Sequence, residues 1–183
     1  MIYLTSDLHL GHNQSFVYEA RGFPSIEEHD KAIIQNWNNI ITAEDDVYIL
    51  GDLMLNDNEH GLECLRKMNG KLHFIIGNHD TSTRVKLYEE AGLINEGYAT
   101  VIKYRKYYFY LSHYPAITTN GKIESLHQVT LNLSGHIHST QRFYDEIPFL
   151  FNVSLDANNN TPISLDEIIE LMKQRFDTIK NFL

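Results

Sequence analysis

The chain has 183 residues, 43% hydrophobic and 21% charged, without low-complexity tracts or repeats, which predicts one folded domain over residues 1–183 and excludes a disordered or fibrous protein. Fifteen Lys and Arg against 24 Asp and Glu give a formal net charge of −9, which disfavours broad binding to a phosphate backbone. The lone cysteine, Cys64, rules out an intrachain disulfide and spaced-cysteine metal motifs; no run approaches ~18 apolar residues, and the chain enters a strand at once, so a cytoplasmic protein without membrane association is expected.

In chain order, the apolar run IYLTS predicts a buried strand that ends in DLHLGH at 7–12. Residues 11–24 hold Gly, Asn and Pro and predict a loop. Ser25 and Glu28 form a capping-box pattern that opens a helix to about Ile41, with Ile33, Ile34, Trp37, Ile40 and Ile41 as its apolar stripe. The strand DDVYIL then ends in Gly51-Asp52, a helix runs from about Asp57 to Met68, and the strand KLHFII ends in GNHD at 77–80. A third helix is predicted from about Ser82 to Ala91, stopped by Gly92. From Gly97 to Ser112 two apolar segments flank Lys103–Lys106 as a hairpin whose second strand, YYFYLS, leads into SHYP. VTLNLS leads into GHIH at 135–138, and one more strand is predicted near 148–154. Ser164 and Glu167 cap a last helix with Ile168, Leu171, Met172 and Phe176 on one face. The sum is an α/β protein with helices packed against a central mixed sheet, in one piece or divided in two.

Each polar cluster directly follows a strand, and in open α/β sheets ligand-binding residues gather beyond the carboxyl ends of the strands. Asp7 and His9 lie two apart on what is expected to be an extended segment, so both side chains can reach one cation. Asp52 can bridge two cations while Gly51 lets the backbone turn beneath them. Asn78, His113 and His136 suit the second cation, and His138 can swing back to the first. Mixed imidazole, carboxylate and amide donors suit Mn, Fe, Zn or Ni better than Mg or Ca, with Mn the first expectation. Two such ions about 3.5–4 Å apart would activate a shared water and hold phosphoryl oxygens for in-line attack. The leaving oxygen then needs a proton, for which His79 is the candidate general acid, with Asp80 available to orient and charge its ring.

Taken in order, DLH, GD, GNHD, a lone His and GHIH resemble the calcineurin-like metallophosphoesterase superfamily over residues 7–138, and the ending NNNTPISLDEI resembles that of its small bacterial and phage phosphoesterases. The resemblance implies a four-layer α/β sandwich with two mixed central β-sheets flanked by helices. It also implies a dinuclear centre, with Asp7, His9, Asp52 and His138 on one metal and Asp52, Asn78, His113 and His136 on the other, and hydrolysis of phosphodiesters or phosphomonoesters through a metal-bridging hydroxide.

Around these residues, His12 is expected to bind substrate by contact with phosphate or metal, against the plainer reading of a loop residue that only lines the cleft, and Arg21 to clamp a phosphate oxygen, against the plainer reading of a solvated charge. Arg142 stays outside the site. His29, His60, His73 and His127 are expected to be structural or exposed, Cys64 a small core hydrophobe, and the run Tyr104, Tyr107, Tyr108, Phe109 and Tyr110 sheet packing rather than a base-stacking platform. The leading expectation is a metal-dependent phosphoesterase acting on a small phosphoester, diesters ahead of monoesters, with no stable nucleic-acid complex and the oligomeric state open. A nuclease for short or single-stranded nucleic acid is disfavoured by the acidic balance, and a non-catalytic metal-binding scaffold by the complete ligand set with His79.

Overall fold

The computed structural model describes residues 1–118, 126, 129–144 and 147–180, so the expectation for His127 falls outside the described residues. The predicted apolar runs form parallel strands β1 (Ile2–Thr5), β2 (Asp46–Leu50) and β3 (Lys71–Ile75), in a register that sets Leu4 beside Tyr48 and Tyr48 beside His73. Two-residue strands complete this sheet: β4 (Ile94–Asn95) pairs parallel with β3, and β10 (Ile163–Ser164) pairs antiparallel with β1. The second sheet contains the expected hairpin of β5 (Ala99–Tyr104) and β6 (Tyr107–Ser112), then β7 (Thr130–Ser134), β8 (Phe143–Tyr144) and β9 (Ile147–Asn152), in the order β5-β6-β7-β9-β8.

Alternation along the strands divides the core in two. Val47, Ile49, Leu72 and Phe74 face one way, onto Ile33, Trp37, Leu65 and Tyr88 of α2 (Ile26–Ile40), α3 (Asn58–Leu65) and α4 (Ser82–Glu90). Leu4, Leu50 and Ile75 face the other way, onto Phe109, Leu111, Leu131, Leu133 and Phe151 of the second sheet, where Ile168, Ile169 and Met172 of α5 (Leu165–Lys180) join them. Two mixed five-stranded sheets flanked by helices are therefore the architecture, as expected.

The helix starts follow their caps. Ser25, Asp57, Thr81 and Ser164 each accept a hydrogen bond from the backbone N–H three residues on. Within the predicted loop, residues Ser15–Tyr18 form a single turn, α1, too short to show a period. Ile40, expected in the apolar stripe of α2, is exposed, whereas His29 and Asp30 are buried on that helix beside Ile26 and Ile33. In the aromatic run Tyr107 and Phe109 are buried, as packing requires, and Tyr108 is exposed beneath the Lys103 ammonium. Among the described residues no helix is long and apolar enough to cross a membrane.

Candidate metal centre

The carboxyl ends of β1, β2, β3, β6 and β7 carry the five polar clusters, and backbone bonds lock them together. Asp7 N–H donates to Gly51 O (3.0 Å), His9 N–H to Asp52 O (3.0 Å), Leu10 N–H to Leu53 O (3.1 Å), and Gly135 N–H to His113 O (3.1 Å). Asp7 and His9 do not lie on extended backbone as expected: their φ angles are 57° and 51°, while Leu8 and Leu10 are fully buried. The left-handed turns aim the carboxylate and the imidazole at the β2 loop and leave the leucines in the core. Asp52, His136 and His138 share this conformation, with φ of 56°, 73° and 47°, so five of the seven candidate ligands hold it. It costs non-glycine residues about 1–3 kcal/mol each and concentrates where function demands it. Packing is correspondingly close: a Cβ on Gly51 (φ +91°) would lie 2.5 Å from His113 Nδ1, and one on Gly135 would overlap Ser6 Oγ and Asp7 Oδ2.

The candidate donor atoms gather around two points. At the first, His138 Nε2 lies 3.1 Å from His9 Nε2 and 3.6 Å from Asp7 Oδ1, and His9 Nε2 lies 3.9 Å from Asp52 Oδ2. At the second, His113 Nε2 lies 3.5 Å from Asp52 Oδ2 and 2.7 Å from Asn78 Oδ1, and His136 Nδ1 lies 2.9 Å from Asn78 Oδ1 and 3.2 Å from His113 Nε2. Asp52 borders both points, as a bridging carboxylate must.

Proton positions favour cations there. His113 Nδ1–H donates to Leu50 O (2.8 Å), and in the tautomer this bond selects, Nε2 turns its lone pair toward Asn78 Oδ1 and Asp52 Oδ2. Those lone pairs repel one another unless a cation lies between them. His138 is held likewise, with Nδ1 donating to Asp156 Oδ2 (3.0 Å). Asp7 Oδ2 accepts from Ser6 Oγ (2.6 Å) and the His136 N–H (2.9 Å), yet its buried Oδ1 has no hydrogen-bond partner. An orphaned carboxylate oxygen 3.6 Å from an imidazole nitrogen fits a divalent cation.

Burial, then the neighbouring His138, holds the His9 ring well below the usual histidine range. Burial and His113 lower His136, and burial and His79 lower His12. His138 moves the other way, raised by its bond to Asp156 against the effect of burial. Burial raises the Asp52 carboxyl in spite of His113 and the His79 N–H, a cost that bound cations would offset.

His79 and His12 both line a cavity of about 620 Å³ with His9 and His138, and the His79 and His9 rings lie 5.7 Å apart. The His79 backbone is fixed at both ends: its N–H donates to Asp52 Oδ1 (2.9 Å), and its carbonyl accepts from Arg84 Nη1 (2.7 Å). Asp80 does not orient the His79 ring as expected. Its oxygens accept from the N–H groups of Asp52 (2.8 Å), Gly77 (2.8 Å) and Leu53 (3.3 Å) and from the Tyr88 hydroxyl (2.9 Å), which bind the GD loop to the GNHD loop.

Arg21 is not available as a phosphate clamp. It is buried, and its five N–H groups go to Asp156 Oδ1 (3.0 Å), Asp156 Oδ2 (2.9 Å), Leu8 O (3.2 Å), Asp7 O (2.7 Å) and His29 Nε2 (3.0 Å). It holds Asp156, which holds His138. Burial would raise the Asp156 carboxyl, but the bonds from His138 and Arg21 outweigh it and keep it well below the usual carboxylate range. Asp156 was absent from the sequence reading, although it follows the β9 run as the other clusters follow theirs. His29 is structural, between Arg21 and Asp30 (2.7 Å), and His73 stacks on Tyr48 and bonds Glu96 (2.8 Å). Arg142 turns away, to Ala157 O and Glu167.

Comparison with known proteins places the chain among relatives. The chain is 36% identical over 184 residues to an uncharacterised protein of Methanocaldococcus jannaschii, covering 94% of this chain and 92% of the relative. It is 27% identical over 195 residues to the gene 66 protein of Mycobacterium phage D29, covering 93% and 95%. A solved structure of a protein of unknown function from Aquifex aeolicus superposes with a TM-score of 0.71 at 25% identity, over 93% of this chain and 98% of that one. The model of the calcineurin-like phosphoesterase family, whose members use divalent metals, matches residues 1–168, a span that holds all five clusters, both sheets and Asp156. By that match over nearly its whole length, the chain belongs to the calcineurin-like phosphoesterase family.

Proposed function

We propose that the chain hydrolyses a phosphoester with two divalent cations, one held by Asp7, His9, Asp52 and His138 and one by Asp52, Asn78, His113 and His136. The supporting observation is the convergence of seven donor side chains on two points that share Asp52, with Asp7 Oδ1 buried and unpartnered at the first. When bound, the ions polarise the phosphoryl oxygens and lower the pKa of a nucleophilic water. Mn is the expected ion, with Fe, Zn or Ni as the alternatives that the mixed imidazole, carboxylate and amide donors also suit.

The remaining chemistry belongs to the chain. In this reading His79 donates a proton to the leaving oxygen as its bond to phosphorus breaks, supported by its position on the cavity wall beside His9. The Asp52–His79 backbone bond couples the acid's position to the bridging carboxylate. Arg21 and Asp156 hold the His138 ring in the tautomer that offers Nε2. His12 contacts substrate in this reading, supported by its position on the same wall.

Phosphodiesters are the preferred substrate class. Among the described residues no Lys or Arg lines the cavity, so the second negative charge of a monoester meets no fixed cation, whereas Phe16, Val17, Ala20 and Leu55 offer an apolar wall to an organic substituent. A panel of bis-p-nitrophenyl phosphate and p-nitrophenyl phosphate with Mn tests this. Faster turnover of the diester is expected, and turnover of the monoester alone would reverse the assignment.

A further inference from the structure

We propose that Asp30, His60 and Cys64 form a third cation site, for a zinc-class ion, in the helical layer. His60 and Cys64 stand four residues apart on α3 and so share a face, and Asp30 meets them from α2. His60 Nε2 lies 2.9 Å from Asp30 Oδ2 and 3.5 Å from Cys64 Sγ, and the three donor atoms all fall within 4.8 Å of one another. A tetrahedral zinc with bonds of about 2.3 Å to sulfur and about 2.0–2.1 Å to nitrogen and oxygen sets N···S near about 3.5 Å and N···O near about 3.3 Å. The sulfur distance already matches, and the oxygen distance needs to open by only a few tenths of an ångström.

Chemistry and access point the same way. Carboxylate, imidazole and thiolate together favour zinc or cobalt over manganese, and the thiolate sets the trio apart from the sulfur-free donors at the strand ends. Asp30 and Cys64 are buried, while the His60 side chain is 38% exposed. The trio opens on a cavity of about 250 Å³ flanked by Glu27, Lys31 and Lys67, which leaves room for a water as fourth ligand. Burial, then the Asp30 carboxylate, push the Cys64 thiol up to about 11, so without metal it is protonated at neutral pH and binding releases that proton. Asp30 also accepts from Gly11 N–H (2.9 Å), two residues beyond His9, and from His29, which holds Arg21. An ion here would clip α2 to α3 and stiffen the loop that carries Asp7 and His9.

Cobalt(II) is the probe. Cys64 is the only cysteine, and none of the seven candidate ligands at the strand ends carries sulfur, so thiolate-to-cobalt charge-transfer absorption reports this trio alone and needs no turnover. Titration of the metal-stripped chain should produce the band, zinc should remove it, and both Cys64→Ser and His60→Ala should lose it. His60→Ala changes a part-exposed side chain, and its far-ultraviolet circular dichroism should match the wild type, which separates loss of the ion from loss of the fold. No band at saturating cobalt, or a band of full intensity in His60→Ala, would overturn the proposal.

Discussion

Replacing Arg21 distinguishes a residue that builds the centre from one that binds phosphate. Arg21→Met keeps most of the side-chain length and deletes five N–H donors, two of them on the largely enclosed Asp156 carboxylate, whose side chain is 10% exposed, and two on the backbone carbonyls of Asp7 and Leu8. Stripping one partner from a buried ion pair costs about 3–5 kcal/mol, because a charge is left uncompensated. For a chain of this length that lowers the unfolding temperature by roughly 6–20 °C, at about 2–4 °C per kcal/mol. Since Asp156 fixes the His138 ring, affinity for metal at the first point should fall about 10–100-fold. The pH dependence has a definite sign. The Asp156 carboxyl is depressed in the fold, so its contribution is complete above the ordinary carboxylate value of about 3.9 and is lost as pH falls below it. Arg21→Met should therefore flatten the acid limb of the stability curve. Thermal unfolding of the metal-free variant at several pH values, with Mn-dependence of turnover on bis-p-nitrophenyl phosphate, reads all three effects. An unchanged unfolding temperature with a raised KM alone would refute this reasoning and restore Arg21 as a phosphate clamp.

Other substitutions separate roles within the site. Asp52→Ala should lose bound metal and turnover together, measured by elemental analysis alongside activity. His79→Ala should keep its metal and lose about 10²–10⁴-fold in kcat, most on substrates with poor leaving groups; equal losses on good and poor leaving groups would remove it as the proton donor. Asp80→Ala should destabilise the chain and loosen metal, because four donors lose their acceptor. A shifted pH–rate profile with stability intact would instead make Asp80 the orienting partner of His79.

Much of the framework was legible because each strand run ends in its cluster, so the period that marks the strand also marks the loop beyond it. Ser25 and Ser164 show their caps in sequence for the same local reason, a hydroxyl three residues before an acidic helical position. What the sequence concealed is direction. Asp80 adjoins His79 in the chain yet faces backbone N–H groups, and Arg21 lies in a loop whose single helical turn carries no periodic signal. The left-handed turns at Asp7, His9, Asp52, His136 and His138 occur without glycine, so no residue type announced them. Asp156 had a signal, a carboxylate just after a strand, but without a neighbouring histidine in sequence it did not stand out as part of a site.

The central claim is that two cations share Asp52 and that hydrolysis depends on both. Electron paramagnetic resonance of the metal-stripped chain titrated with Mn(II), with turnover of bis-p-nitrophenyl phosphate followed in the same samples, tests it directly. The account predicts an exchange-coupled Mn pair that grows in step with activity and is absent from Asp52→Ala. Full activity with only isolated, uncoupled Mn, or without metal, would contradict it.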